Sequence, residues 1–560
     1  MIFLTSWRGN TFMSDDEGSV EFQSGLAAAN NGEFTKALSF WIPLGQQGNA
    51  TAQSNVALIY DKGLGVEKDV IEAIRWYELA AHQGNLLSQF NLGIIYGNGL
   101  NVPPNYNLSV KWLTLAAEQN DPAAQYNLAY MYINGRGVDK NLDEALRLYL
   151  LAANQNDPDA QYSLGKMYEN GYGVEADIQK ALSFFKQSAE SGNLLAIFDL
   201  ACIYDKGEIV EKDHDQAISL YKLAADKGVR LAQYNLGVIY YLGNGADQDF
   251  TEALKYIRMA ADNGLIMAQT NIGTMYAEGN GVKQDFNEAA KWFELAANQG
   301  DHVAQFNLGR IFKNGVGVKQ NLDLAVHWYE EAAKQGYHPA QTNLGFMYQT
   351  GLGVKQDYDK AISYYNLASE QGNAIAQANL GIMHREGLGT AQDYVLASKL
   401  LTLSAEHGYS WAQYNLGVMY FSGEGLNRDI DAAIKWYTLA SEQGDAPAQH
   451  NLGLIYAMGI NGEPDYKLAM KWLHSASMQG NTHSQFNLAV LYGNGLGVET
   501  DLTLAYMWFH ISAFLGNKDA IGTRDIAAKE LSTNQLETAN KLADTIIFNI
   551  NNSNTNSPRV

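Results

Sequence analysis

The chain is predicted to be all-α, an α/α superhelical solenoid of about thirteen 36-residue helix-turn-helix repeats with capping helices at both ends. Three observations carry this prediction. A glutamine recurs every 36 residues, from Gln53 through Gln89 and Gln125 to Gln485, interrupted only by Ile197. A glycine keeps the same ruler in all thirteen repeats, from Gly63 through Gly99 and Gly135 to Gly495. Two apolar stripes at helical spacing flank that glycine in each repeat. A fixed period of this length means a stack of one supersecondary unit in which each copy touches only its neighbours. A stack offers a long surface and no central pocket, which favours binding over catalysis.

Residues 1–18 are expected to be a disordered or non-native N-terminus. Their short apolar stretch has no basic residues ahead of it, so it makes a poor secretory signal, and Met13 is an alternative start. Residues 19–48 are expected to form a capping helix pair. Its second helix (Ala37, Phe40, Trp41, Leu44, Gly48) is in register with the repeats, and its turn is the tight Asn30-Asn31-Gly32.

Residues 49–516 hold the thirteen repeats, and 265–300 is a clean copy. Ala268, Ile272, Gly273 and Tyr276 fall on one side of a first helix. Gly279 follows at the C′ position, where the left-handed conformation suits only glycine. Asp285 is placed to cap a second helix, with Glu288 three residues on as in a capping box. That helix carries Ala289, Trp292, Phe293, Ala296 and Ala297 and ends at Gly300. Asp301, Asn373, Asp445 and Asn481 are ready caps for the following first helices. Small residues opposite large ones, Gly273 and Ala296 against Trp292 and Tyr276, let the paired helices approach closely.

Residues 517–550 are expected to be C-terminal capping helices. Ala520 and Ile521 keep register, and Ser532 with Gln535 reads as a capping box. Leu536, Ala539, Leu542, Ala543 and Ile546 should then lie over the last repeat. The polar run 551–560 is expected to be a disordered tail. The sum is about 29 helices and no sheet.

The motif A-Q-x-N-L-G-x-x-Y-x-x-G-x-G-V-x-x-D-x-x-x-A-x-x-W-Y-x-x-A-A-x-x-G resembles the Sel-one-like repeat, a relative of the tetratricopeptide repeat with a longer interhelical loop. The resemblance covers roughly residues 49–516. It implies a right-handed superhelix that scaffolds protein complexes, in a family with members in bacteria and in eukaryotic quality control. Cysteine-rich bacterial relatives resemble penicillin-binding hydrolases, which implies an alternative: a cell-envelope-related hydrolase, or a regulator of one. Those relatives have a disulfide in each repeat, whereas Cys202 is the single cysteine here.

The formal net charge is −22, with acids spread along the chain. This argues against nucleic acid, which wants a basic stripe, and against anionic lipid. No apolar run approaches the ~20 residues that span a bilayer. One cysteine makes no demand on an oxidising compartment, so a cytoplasmic monomer is expected. No phosphate-binding loop and no metal-ligand spacing occurs among the His and Cys residues, so no cofactor, metal or catalytic residue is expected. Cys202 reads as local drift beside Asp199 and Ile209, not as a reactive thiol.

On a helical wheel the side opposite Ala52, Val56, Ala57 and Tyr60 holds Thr51, Ser54, Asn55, Leu58 and Lys62, and should line the concave groove. The Asn55 column is Asn in eleven of thirteen repeats. It could hold an extended peptide backbone or tie each helix to the neighbouring repeat. The Ser54 column is mainly aromatic (Phe90, Tyr126, Tyr162, Phe198, Tyr234, Phe306, Tyr414, Phe486), for packing between adjacent first helices or for lining the groove. Variable positions suit specificity better. The candidate protein-binding patch is Trp411, Tyr414, Asn415, His450, Asn451, His483, Phe486 and Asn487, since aromatics near the centre of a contact tend to be hot spots. The partner is expected to be a neutral or basic protein or peptide. On the outer face, cations at Arg75, Lys111, Arg147, Lys255, Lys291, Lys435 and Lys471, with acids one or two turns later, read as weak surface pairs.

Overall fold

The computed structural model describes Phe12 and residues 19–99 and 101–556. The expectations for the remaining N-terminal residues, Met13 included, and for residues 557–560 lie outside the described residues. The described residues form thirty helices and no strand. Helices α1 (Val20–Asn30) and α2 (Phe34–Gln46) make the first pair. The first repeat is α3 (Ala50–Lys62) with α4 (Val70–His82), and the pattern runs unbroken to α27 (Thr482–Asn494) with α28 (Leu502–Phe514). Odd numbers from α3 to α27 are therefore first helices and even numbers second helices. Two helices follow, α29 (Asp519–Lys529) and α30 (Thr533–Asn556), so the C-terminal cap is itself a pair. Helix α30 runs on past Ile550 into the stretch expected to be tail.

Each helix begins and ends where its local chemistry directs. The Asp285 carboxylate accepts from the backbone N–H groups of Asn287 and Glu288, opening α16 (Phe286–Ala297). Glu288 does not complete a box. It turns outward to Lys291. Asp301, Asn373, Asp445 and Asn481 cap their first helices at 2.7–2.9 Å. Ser532 and Gln535 do form the reciprocal box, with the Ser532 N–H donating to Gln535 Oε1 at 3.0 Å and the Gln535 N–H to Ser532 Oγ at 3.4 Å. Gly279 closes α15 (Ile266–Glu278) at φ +80°, donating back to the Met275 carbonyl at 2.9 Å. That left-handed cap is the reason glycine never varies in this column.

Within a repeat the two helices touch through a glycine or alanine facing a large side chain, a ring in some repeats and Leu or Ile in others. A Cβ added at Gly165, in α9 (Pro158–Asn170), would lie 2.5 Å from a carbon of Phe185 in α10 (Ile178–Glu190). At Gly345 it would lie 2.6 Å from Tyr365. Both rings are fully buried.

Between repeats the joint is the recurring glutamine. Gln89, in α5 (Leu86–Asn98), donates from Nε2 to the Ala81 carbonyl at the end of α4, at 3.0 Å. Its Oε1 accepts from Gln119, just beyond α6 (Tyr106–Glu118), at 2.7 Å. Three successive helices are thus stitched by one buried amide whose donor and acceptor are both used. Gln305 and Gln449 repeat the arrangement with Ala297 and Gln335, and with Ser441 and Gln479. At Ile197 the series lapses. Ile197 is buried, and its counterpart to Gln119 is Lys227, so donor and acceptor are lost together.

The helices group into two compact units. One runs to Ala268 and takes in Asn280–Val282; the other comprises Gln269–Gly279 and Lys283 onward. The first has its N-terminal core around Phe22, Trp41 and Tyr77. The second ends in a core that joins Trp508 and Phe509 to Ala539, Ala543 and Ile547 of α30. Leu542 was expected in this stripe and is instead 45% exposed. The buried line on α30 runs Ala539, Ala543, Ile547, Ile550, and Leu542 projects about 100° away from it.

The outer cations are exposed, with pairing that differs in direction from the expectation. Arg75, Arg147, Lys255 and Lys291 each bond an acid three residues earlier, Glu72, Glu144, Glu252 and Glu288. Lys111, Lys435 and Lys471 lie over the rings of Trp112, Trp436 and Trp472. Preceding acids sit near the helix N-terminus, where the dipole favours negative charge.

Candidate functional site

The shared face of the first helices is closed near the start of the stack and open further along. Ser54, Asn55, Leu58, Phe90, Asn91, Ile94 and Asn127 are all buried. These seven groove residues cannot touch a ligand, whereas Thr51, Lys62 and Tyr126 in the same repeats stay half-buried. From Asn235 onward most of the Asn column is half-buried, with Asn415 an exception.

The carboxamides mostly serve the stack. Asn91, Asn235 and Asn451 donate from Nδ2 to the hydroxyls of Tyr77, Tyr221 and Tyr437 on the preceding second helix, at 3.0–3.3 Å. Asn127, Asn343, Asn415 and Asn487 donate to the carbonyl one turn back in their own helix. The aromatic column packs inward on its own repeat, which corrects the expected contact between adjacent first helices. Tyr126 meets Tyr149 at 5.5 Å, Tyr162 meets Phe185 at 5.8 Å, Phe306 meets Tyr329 at 5.7 Å and Phe486 meets Phe509 at 5.3 Å. The residue one turn on is small in each case, Ala129, Gly165, Gly309 and Ala489, and leaves room for the second-helix ring that the first-helix ring covers.

The eight candidate residues lie on α23 (Ser410–Ser422), α25 (Ala446–Met458) and α27. His450 and His483 come together with ring centroids 6.3 Å apart, and His450 Nδ1 shares a 2.8 Å hydrogen bond with Ser484 Oγ. Burial, followed by the charge of His483, pushes the His450 pKa down to about 4. Trp411 is half-buried, its ring beside Tyr409. Tyr414 leans on Tyr437 at 6.0 Å, Phe486 leans on Phe509, and Asn415 is buried. His483 is exposed. Beside Asn451, a hollow of about 280 Å³ is lined by Phe421, Tyr437, Leu454, Ile455, Met458 and Ile460. The sequence reading missed it although Leu454 and Met458 fall in the Leu58 and Lys62 columns, because Phe421, Tyr437 and Ile460, which complete the hollow, lie outside those columns.

Charged residues on this face are mostly paired across repeats. Lys166 on α9 bonds Asp199 of α11 (Leu194–Lys206) at 3.2 Å and Glu169 at 2.7 Å. Arg385 bonds Glu424 at 2.8 Å. Burial works against charged Lys166, but its acid partners outweigh that and hold its pKa above the ordinary lysine value. Cys202 is half-buried, accepts from the Tyr221 hydroxyl at 3.3 Å, and burial pushes its thiol pKa up, the opposite of a reactive cysteine. Among the described residues no cluster of His, Cys, Asp and Glu could hold a metal, and no helix is long and apolar enough to cross a membrane.

A family model described as the Sel1 repeat matches thirteen successive stretches, from 50–85, 86–121 and 122–157 onward to 446–481 and 482–517. The crystal structure of a protective antigen of uropathogenic Escherichia coli, which displays an SLR fold, superposes with a TM-score of 0.70 at 30% identity. It covers 80% of this chain and 98% of its own. A Sel1 repeat protein from Oxalobacter formigenes is 28% identical over 60% of this chain and 94% of its own, with a TM-score of 0.47. No curated protein matches the chain.

Proposed function

The chain belongs to the Sel1 repeat family, whose members are generally protein–protein interaction scaffolds, and on that premise we propose that it is a non-catalytic adaptor that holds an extended partner segment along its first-helix face. The observation that carries the reading is the apolar hollow beside Asn451. It is open to solvent through Met458, 65% exposed, and has the size of one or two apolar side chains. Trp411, His450 and His483 lie on the same set of first helices, so one segment crossing α23, α25 and α27 meets an apolar anchor point and half-exposed rings. The net charge of −22 steers neutral or basic partners and repels acidic ones, an effect that weakens with salt.

The test is capture of a partner by the full chain, followed by substitution. Trp411→Ala and Met458→Asp should weaken the partner by about 2 kcal/mol or more if these are hot spots. Met458 is 65% exposed and Trp411 is only half-buried, so helicity should hold. Loss of binding on Lys435→Ala and Lys471→Ala, with Trp411→Ala silent, places the partner on the outer face and sinks the proposal.

A further inference from the structure

The repeat architecture supplies its own comparison between α9 and α17 (His302–Asn314), which are four repeats apart. Only these two first helices place a cation in the column of Leu58: Lys166 and Arg310. At α9 the cation is satisfied internally. Asp199 reaches back from the next first helix to Lys166 at 3.2 Å, accepts from the Tyr162 hydroxyl at 2.9 Å, and Glu169 adds a second carboxylate. At α17 both carboxylate acceptors and the hydroxyl donor are gone. Phe306 stands for Tyr162, Lys313 for Glu169, and Asn343, on α19 (His338–Thr350), for Asp199.

Arg310 and Lys313 are one turn apart on α17, and no carboxylate among the described residues lies within ion-pair distance of either. Lys313 has only the carboxamide oxygen of Asn343 at 3.4 Å. Burial, then repulsion from Arg310, lowers its pKa. Beside them the Tyr329 hydroxyl of α18 (Leu322–Lys334) is fully buried and has no hydrogen-bond partner. In other repeats this hydroxyl receives the Asn of the next first helix, whereas Asn343 is turned to the Pro339 carbonyl. Arg310, Lys313 and Asn343 border an open cavity of about 720 Å³, lined also by Asn307, Phe306 and Thr274. Glu278 on its rim is the one acid in the lining.

We propose that this cavity binds the carboxylate of a partner's Asp or Glu side chain, seated between Arg310, Lys313 and Asn343 where Asp199 sits in the α9 site. A guanidinium and an ammonium one turn apart, neither with a carboxylate partner, are what a carboxylate satisfies best, and the guanidinium can donate to both of its oxygens. In a chain of net charge −22 this is a local reversal of sign, and it fixes register: a segment neutral or basic in sum places its one acid here. The inference rests on the adaptor reading above and adds the chemistry of one subsite.

A phage-displayed library of random decapeptides, selected on the full chain, tests it. Selected peptides should share Asp or Glu at one position, and replacing that acid by Gln or Asn should weaken them roughly tenfold or more. The same loss should follow Arg310→Gln with Lys313→Gln. Asn343→Asp, which rebuilds the α9 arrangement, should also abolish acid selection while raising the melting temperature. Peptides selected without a fixed acid, or with one indifferent to these variants, overturn the subsite and leave the adaptor reading standing. No peptide selected at all removes both. A phosphorylated peptide bound through Arg310 while its Glu counterpart is not would also refute the assignment.

Discussion

Replacing Gln89 tests what holds one repeat to the next. The side chain is 4% exposed and makes two hydrogen bonds, to the Ala81 carbonyl and from Gln119. Gln89→Leu removes both. Neither partner is orphaned, because the Ala81 carbonyl keeps the Gly84 N–H at 3.0 Å and the Gln119 amide keeps the Gly84 carbonyl at 3.0 Å. The loss is therefore two net hydrogen bonds of about 0.5–1.5 kcal/mol each, partly offset by a more apolar side chain in a buried place, or about 1–2 kcal/mol in sum. Gln89→Ala adds a cavity and should cost about 2–4 kcal/mol. Gln89→Glu should be worst at neutral pH, since a carboxylate facing the Ala81 carbonyl repels it, and should recover as the acid is protonated. Global unfolding of a repeat array is not a two-state event, so the measurement is local: hydrogen exchange across α4, α5 and α6, read by mass spectrometry. Gln119→Leu should cost less than Gln89→Leu, and the double variant less than the sum, because one bond is shared. If Gln89→Leu is neutral while Gln89→Ala is costly, the glutamine only fills space and the joint assigned to it does not exist.

Gly279→Val forces a β-branched residue to φ +80° and should cost about 1–3 kcal/mol, whereas Thr274→Val, half-buried in the same helix, should stay within about 0.5 kcal/mol; exchange rates in α15 and α16 separate them. Truncation before Ser532 removes Ala539, Ala543 and Ile547 from the core that contains Trp508 and Phe509, and should produce aggregation by light scattering; a monomer with unchanged melting contradicts the capping role of α30. His450, with its pKa lowered to about 4, is neutral in the fold, while the unfolded chain protonates near 6.5. Its contribution is therefore complete above about pH 6.5 and drains away as pH falls toward about 4, and a His450→Gln chain should lack that dependence in local exchange around α25.

The repeat number, the helix pairs, the caps and the left-handed glycines were all legible in the residues, because each follows from local rules at a fixed period. Asp285, Gly279 and the Ser532–Gln535 box act within a few residues of themselves. What the columns did was not legible in the same way. Gln53 to Gln485 served as a ruler, yet the bonds they make run to a carbonyl eight residues back and an amide thirty residues on, on helices whose facing only packing decides. The aromatic column looked like a groove lining and turned inward, since a small residue one turn away, glycine or alanine, makes room for a second ring. Lys166 and Arg310 are equivalent in the sequence, and only the neighbouring helix, offering Asp199 to one and Asn343 to the other, separates a satisfied ion pair from an open site. Periodicity reports what every repeat shares. Burial and partnership at a single repeat depend on side chains from three helices at once, and those meet only in the folded stack.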